Sequence, residues 1–477
     1  MNELSVTRKE TLYETLAGEL MHLIQAGTLR PGDRLPSVRR MSQQKGLSLT
    51  TVLQAYQVLE DQGTIEARPQ SGYYVRPALN PPAALPEPED VRVLPDPEHV
   101  QVDELVMRVV RDAMRPGFVQ FGAALPAPEL LPTDRINRIL ARVARENVQA
   151  AQMAGLPEGM LELRVQVSRR ALDLGCALEP DEIDITCGCA EAIHLALQAT
   201  CRPGDLVAVE SPTYFGILQA LEAQGLRALE IPTHARDGIS LDALSFALEN
   251  HPIRAVVVIT NYSNPLGCCM PEENKRALVE LLARFQVPLI EDDIYGELSF
   301  SGKRPGVAKA YDKKGLVLLC SSFSKDISPS LRVGWIAPGR YRARVEQLKM
   351  ATNIATAILP QLAIARFLES GGYDRHLRTI RRAYAQKVSQ MVQGVLHYFP
   401  EGTRVSSPAG GFVVWVQLPG EVDSLALYQR ALAAGITLAP GHIFSASSKY
   451  RSFIRLNAAY MNFAGERALA RLGELLR

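Results

Sequence analysis

The sequence predicts two folded units of different class: a small, mainly helical unit ending in a β-hairpin, and a large α/β body on a mostly parallel central sheet. Three observations carry this. Residues 12–63 hold helical runs of apolar residues around a short polar helix, and two strand-like runs follow at 64–75. Residues 76–97 place prolines at 77, 81, 82, 86, 88, 95 and 97, a stretch that forms neither helix nor central strand. Beyond it, short apolar runs alternate with helix-like stretches, as parallel strands flanked by helices do. The expected boundaries are 1–76 for the small unit, 77–102 for an extended, semi-rigid connector and 103–477 for the body.

Composition narrows the class. A chain of 477 residues has room for about three domains. Its 47% hydrophobic and 22% charged content exclude a wholly disordered or collagen-like chain. With 52 Lys+Arg against 51 Asp+Glu, any nucleic-acid contact must be local. The seven cysteines (176, 187, 189, 201, 268, 269 and 320) are odd in number and lack a CxxC pair, so buried structural thiols are expected and no metal. There is no internal repeat, no leader-like apolar run at the N-terminus and no apolar run near the ~18 residues of a membrane span. A cytoplasmic setting is expected.

In the small unit, Leu12, Leu16, Leu20 and Leu23/Ile24 mark an amphipathic helix that Gly27 can end. Pro36 is placed to open a second, short helix. Ser48 is a good N-cap for a third, in which Val52, Ala55, Tyr56 and Leu59 face inward until Gly63. TIEARP and GYYV, joined through Pro69-Gln70-Ser71-Gly72, read as a hairpin. This is a winged helix-turn-helix plan, which also serves protein-binding modules, so charge has to arbitrate. Residues 1–76 carry nine Lys/Arg and eight acids, yet the stretch 30–45 sets Arg30, Arg34, Arg39, Arg40 and Lys45 against Asp33 alone. Such a patch suits phosphates, and Ser48, Thr50 and Thr51 would open the reading helix.

The run PGDRLPSVRRMSQQKGLSLTTVLQAYQVLEDQG…SGYYV resembles the DNA-binding module of the GntR family of bacterial regulators. The resemblance implies DNA contacts from Ser37 and Arg39 of the LPSxR motif, from Ser48, Thr50 and Thr51, and from Gly72 of the wing. The family often has Arg between the first two hydroxyl residues, where this chain has Leu49.

In the body, five apolar runs end in polar or small residues. EIDIT leads into Cys187-Gly188-Cys189-Ala190 and a helix, LVAV into Glu210-Ser211-Pro212-Thr213-Tyr214, and AVVVIT into Asn261-Tyr262-Ser263-Asn264-Pro265. VPLI leads into Glu291-Asp292-Asp293-Ile294-Tyr295, and LVLLC into Ser321-Ser322-Phe323-Ser324-Lys325. Ligands of parallel sheets bind outside such carboxyl ends. A glycine turn before a helix, Ser322, Ser324 and Arg332 offer phosphate donors. Asp292, Tyr295, Asn264 and Lys325 add a carboxylate, a phenol, an amide and an amine, together the needs of pyridoxal 5′-phosphate. Singly, each has a plainer reading: a solvated lysine, a helix-capping Asp, core tyrosines, an Asn-Pro turn. Their conjunction in one α/β pattern outweighs those readings.

GCAEA, ESPTY, NYSNPLG, EDDIYGEL, SSFSK…LRVGW and FIRLN resemble, in that order, the motifs of fold-type-I pyridoxal-phosphate aminotransferases over most of residues 120–460. The resemblance implies a large part at about 166–340 and a small C-terminal α/β part at about 341–477. It implies Lys325 as the Schiff-base lysine, Asp292 as partner of the pyridine nitrogen, and Asn264 and Tyr295 on the ring's phenolic oxygen. Tyr214 would stack on the ring, while Gly188, Cys189, Ala190, Ser322, Ser324 and Arg332 would hold the phosphate. Arg455 matches the arginine for a substrate's α-carboxylate. Two departures stand out: Cys189 and Ala190 replace a hydroxyl residue and a frequent Gln, and Ala154 stands where a cross-subunit Tyr is usual.

A GntR-like module, a proline-rich connector and such a body resemble the MocR-type subgroup, which implies a head-to-tail homodimer. The expected function is a regulator that binds operator DNA and pyridoxal 5′-phosphate, senses the cofactor or an amino compound, and has at most slow transaminase-like activity. A metabolic aminotransferase with an accessory DNA module, and a regulator with a cofactor-free dimerisation body, are the alternatives.

Overall fold

The computed structural model describes residues 12–25, 28–30, 32–61, 64–68, 71–75, 86–89, 97–100, 103–149, 152, 154–420 and 422–477. They fall into two compact units with a boundary near residue 83. The first unit comprises α1 (Leu12–Gln25), α2 (Val38–Lys45), α3 (Leu49–Asp61) and the hairpin β1 (Ile65–Arg68) and β2 (Gly72–Val75). The hairpin is antiparallel, with Ile65 opposite Val75 and Arg68 opposite Gly72. Residues 33–35 add a third edge, since Leu35 N donates to Tyr73 O and Val75 N to Asp33 O, both at 2.8 Å. Leu16, Leu20, Met41, Val52, Ala55, Tyr56, Leu59 and Ile65 form its core.

Caps explain the helix boundaries. Ser48 Oγ accepts from Thr51 N at 3.1 Å, as expected of an N-cap. The start of α2 differs from expectation: Ser37 is its cap, accepting from Arg40 N at 3.3 Å, and Pro36 stands outside the helix. The Pro36 carbonyl instead accepts from Tyr56 Oη at 2.7 Å, tying that turn to α3. Leu12 (66% exposed) and Leu23 (39%) also depart from the expected apolar face. Residues advance about 100° each around a helix, so a seam centred on Leu16, Ala17 and Leu20 leaves those two on its flank, and Ile24 packs instead. The expected stop residues Gly27 and Gly63 and the turn residues Pro69 and Gln70 lie outside the described residues.

The second unit is built on a sheet whose main strands are β3 (Glu98–His99), β4 (Asp184–Thr186), β5 (Leu206–Ser211), β6 (Arg227–His234), β7 (Ile253–Val258), β8 (Leu289–Asp292), β9 (Val317–Ser322) and β10 (Gly334–Ala337). Their order is β3-β6-β5-β7-β8-β9-β10-β4, with the short strand Gly238–Ile239 on β6. Only β3, β10 and that short strand run against the rest. The central strands are buried on both faces, which is why they read as continuous apolar runs. Alternate residues serve opposite layers: Val207 and Val209 pack with helices 188–200 and 215–223, whereas Leu206 and Ala208 pack with helices 241–250 and 272–285. A four-stranded antiparallel sheet follows, in the order Arg404–Val405, Val413–Gln417, Phe453–Asn457, Ala439–Pro440.

Two findings depart from the sequence reading. Residues 86–89 and 97–99 of the expected connector are bonded to this body. Val405 N donates to Pro86 O at 3.0 Å, Arg236 pairs with Glu87 at 2.8 Å, and Glu98 lies opposite Ala228 of β6. Nothing is described for most of the remaining connector. The cysteines were expected to be buried; Cys187 is exposed and Cys201 and Cys269 are partly so, because Cys187 caps a helix at the mouth of the sheet rather than lying within it. Among the described residues, no helix is long and apolar enough to cross a membrane.

Candidate functional site

The residues singled out at the strand ends converge at the carboxyl edge of the parallel strands. Several lie inside the ladder rather than beyond it: Ser211 ends β5, Asp292 ends β8 opposite Cys320, and Ser322 ends β9 opposite Gly334. Ladder bonds hold their backbones, so each side chain leaves the sheet in a fixed direction.

The phosphate-type corner forms where β4 turns into helix 188–200. Gly188 opens that helix at φ 77°, a conformation only glycine adopts freely. A Cβ there would lie 2.5 Å from Arg332 Nη2, so the guanidinium sits directly over the glycine, fixed by a 3.1 Å bond from Nη2 to Cys187 O. Ser324 N donates to Ser322 Oγ at 3.2 Å, and the buried Ser324 hydroxyl has no protein partner. Helix N-terminal amides, a guanidinium and a spare hydroxyl make an anion site. Cys189 does not serve that corner with its side chain. Its thiol donates to Asp292 Oδ1 at 3.2 Å, and Ala190, exposed, offers only its backbone.

Asp292 is 2% exposed. Burial raises its pKa to about 6, against the lowering pull of the Cys189 thiol and the Ile294 amide. Behind it, Glu297 joins Arg170 (3.0 Å), Arg304 (3.2 Å) and Arg381 (3.1 Å). Burial alone would raise Glu297, but the three guanidiniums outweigh it and hold the carboxylate ionised. That buried network fixes the turn carrying Tyr295, whose ring packs edge-on against Phe412 at 5.5 Å. Tyr214 precedes helix 215–223, and Gly216 leaves room for its ring, because a Cβ there would collide with it. Burial pushes the Tyr214 phenol up to about 12 and the Tyr295 phenol further, so both are neutral donors at physiological pH.

Lys325 Nζ donates to Ala124 O at 2.6 Å and stands 5.8 Å from the Tyr295 ring centre. Burial and the nearby Arg455 charge lower its pKa to about 8, which Asp292 partly opposes. Arg455 is fully buried and donates to Asn264 Oδ1 at 3.4 Å and to the Gly122 carbonyl. Its Nε has no partner, and among the described residues no carboxylate pairs with it. Burial lowers its pKa to about 10, still charged at neutral pH. A buried cation without an anion is a costly arrangement that an incoming carboxylate would relieve.

The sequence reading did not find the loop 122–125, which reaches the site through its carbonyls. Asn457, two residues after Arg455, holds that loop by donating to Ala123 O and Leu125 O, both at 2.7 Å. Gly216 and the thiol–carboxylate bond were missed as well. Carbonyls leave no mark in a side-chain pattern; only the small residues of FGAA hinted at a close approach.

In the first unit, Ser37, Arg39, Ser48 and Thr50 are exposed, Thr51 is half-buried with its hydroxyl 2.8 Å from Ser48 Oγ, and Gly72 has φ 108° beside the Arg34 guanidinium. One cation of the basic stretch is spent internally: Lys45 pairs with Glu19 of α1 at 2.5 Å.

Fold and site together define a winged helix-turn-helix DNA-binding module fused to an aminotransferase-like body. The chain belongs to the aminotransferase class I and II family, matched over residues 137–471, and carries at 12–75 a module of the bacterial regulatory proteins of the gntR family, the MocR-type arrangement. It is 39% identical to the HTH-type transcriptional regulator YdcR of Escherichia coli K12, over 98% of this chain and 99% of that protein. Its likeness to YjiR of the same organism is 40%, over 97% and 98%. Among solved structures, LysN, the α-aminoadipate aminotransferase of Thermus thermophilus complexed with N-(5′-phosphopyridoxyl)-L-leucine, aligns with a TM-score of 0.73 and 28% identity over 79% of this chain and 95% of that one. The chain is thus a regulator built of helix-turn-helix and aminotransferase-like parts.

The family's cofactor, pyridoxal 5′-phosphate, fits the residues present. The orphan Ser324 hydroxyl and the cradle over Gly188 suit its phosphate, the buried Asp292 its ring nitrogen, and the Lys325 amine its aldehyde.

Covalent attachment requires the neutral amine. Growth of the visible absorbance after mixing apoprotein with cofactor should quicken about tenfold per pH unit up to about pH 8 and then level. A solvated surface lysine as the reacting group would keep quickening toward pH 10, which stopped-flow absorbance distinguishes.

Proposed function

We propose that this chain is a DNA-binding transcriptional regulator that carries pyridoxal 5′-phosphate on Lys325 as a Schiff base and responds to the cofactor or to an amino compound by changing its affinity for an operator. Its setting is the cytoplasm and its working form a head-to-tail homodimer, in which Ala154, exposed in the single chain, faces the other copy. The observation that carries the sensing role is Arg455: a buried guanidinium with no counter-ion among the described residues, across the same mouth as the Lys325 amine.

When bound, pyridoxal 5′-phosphate supplies an aldehyde that captures primary amines and a ring that accepts electron density. The chain's own groups do the rest. Gly188, Cys189 and Ala190 present backbone amides, and Ser322, Ser324 and Arg332 complete the phosphate grip. Tyr214 would stack on the ring, Asn264 and Tyr295 would donate to its phenolic oxygen, and Asp292 would keep its nitrogen protonated. Arg455 would take an α-carboxylate, and the Lys325 amine, its pKa lowered to about 8, would hold or move a proton at Nζ.

Capture needs only these groups; rapid turnover needs tighter placement, since small displacements cost about a hundredfold. The phosphate corner lacks the usual hydroxyl at Cys189, whose thiol is turned to Asp292. A sensor needs only a coupling of about 1–3 kcal/mol between two conformations. The nearly complete set of cofactor groups favours, as second reading, a metabolic aminotransferase with an accessory DNA module.

One preparation decides between them. Cofactor absorbance, operator affinity and keto-acid release are followed while α-amino acids and the matching amines without a carboxylate are titrated. A tight α-amino acid that shifts DNA affinity with little keto acid is expected. Many turnovers with DNA affinity unmoved would make the chain an enzyme.

The DNA side has its own expected outcome. Arg39→Ala should weaken operator binding and flatten the slope of log affinity against log salt by about 0.9, one phosphate's worth. Fluorescence anisotropy at several salt concentrations reads it; an unchanged slope would remove Arg39 from the backbone contacts.

A further inference from the structure

The exposed face of α3 from Leu49 to Gln57 is uncharged. Val52, Ala55, Tyr56 and Leu59 are fully buried on one side of the helix, while Leu49 (50% exposed), Thr50, Leu53 (46%), Gln54 and Gln57 line the other. From Gly46 to Leu59 the chain has no Lys, Arg, Asp or Glu, whereas Arg30, Arg34, Arg39 and Arg40 are all exposed in the segment before it. Phosphate attraction and base reading are thereby assigned to different elements.

In the major groove, guanine presents two acceptors at O6 and N7, read best by Arg or Lys. Nothing of that kind stands on α3. The thymine C5-methyl is the groove's apolar group, and an adenine edge, with one donor and one acceptor, matches a glutamine amide. Leu49 and Leu53 lie one turn apart, about 6 Å along the axis, which spans roughly two base-pair steps. Two large, half-exposed leucines on an uncharged stretch of helix present an apolar surface complementary to adjacent thymine methyl groups.

We infer that α3 reads A·T pairs, with Leu49 and Leu53 against thymine methyls and Gln54 on an adenine edge. This rests on the DNA-binding reading above and adds the base preference.

The test uses the full chain. Half-sites are selected from a randomised duplex pool, and each thymine in the selected core is then replaced by deoxyuridine, which removes only the methyl. A core of A·T pairs is expected. Replacement at the helix-read positions should weaken binding about fourfold per methyl, the worth of one buried apolar carbon. Leu49→Ala should lose that sensitivity at its own position and keep it at Leu53's, and Leu49→Arg should bring guanine into the selected site. A G·C core, or indifference of the unaltered protein to deoxyuridine, overturns the inference while leaving the regulator reading in place. Two leucines covered by a second copy of the chain instead of DNA would give the same indifference. Absence of any sequence preference in the pool would overturn the regulator reading itself.

Discussion

Lys325→Ala is expected to abolish covalent attachment of pyridoxal 5′-phosphate, leaving a protein without the visible band that borohydride otherwise fixes to residue 325. The argument rests on geometry and charge together. Lys325 sits at the mouth formed by β8 and β9, tethered only by the Ala124 carbonyl, with burial and Arg455 holding its pKa near 8. About a tenth is therefore the neutral nucleophile at pH 7, where a solvated lysine near 10.4 is almost wholly protonated. Substitution removes a partly desolvated charge and little packing, so the fold and DNA binding without effector should persist. Peptide mapping after reduction checks the assignment; a reduced pyridoxyl group on another lysine, or the same band in the variant, would refute it.

Asp292→Asn is expected to weaken cofactor binding by a factor of about 10² to 10⁴, because removing one member of a buried charged pair costs about 3–5 kcal/mol. The apoprotein should respond in the opposite sense. A carboxylate whose pKa rises from 3.8 to about 6 on burial is destabilising in its charged form, by roughly 3 kcal/mol at pH 7. The folded state binds the extra proton between those values, so this group's contribution falls as pH rises from about 4 to 6 and stays low above. The neutral amide still accepts from Cys189 and Ile294, so the apo variant should melt no lower than the unaltered protein at pH 7. Equilibrium dialysis of the cofactor and melting of apoprotein separate the two effects. Loss of both together would mean that Asp292 is a structural residue.

The site's identity was legible because parallel sheets deliver chemistry in one way. Their strands are buried on both faces and read as short apolar runs, and the residues that follow each run lie at the same edge. Tyr214, Asn264, Asp292, Ser322 and Lys325 were read at strand exits by that rule. Strand β6 was not, because its carboxyl end carries none of that chemistry, and β10 was not, because it joins the sheet antiparallel and Arg332 precedes it instead of following it. The helix cap at Ser48 was equally legible, being local, whereas Pro36 misled because a proline that favours a helix start also favours the turn before a capping serine.

What the sequence determined by itself is therefore what local rules govern: period, caps, proline breaks, and side-chain chemistry at strand ends. Only the tertiary structure decided what those groups touch. Lys325 meets the Ala124 carbonyl across 201 residues, and Arg455 meets that of Gly122 across 333. Cys189 turns from the phosphate corner to Asp292 across 103, and the supposed connector is bonded to the body at Pro86, Glu87 and Glu98. For α3 the helical spacing already marked Val52, Ala55, Tyr56 and Leu59 as inward, and the structure added that Leu49 and Leu53 stand about half exposed on the far side. The physical reason is shared. A backbone carbonyl and an edge strand's open ladder have no residue signature of their own, and become sites only when packing brings a distant partner to them.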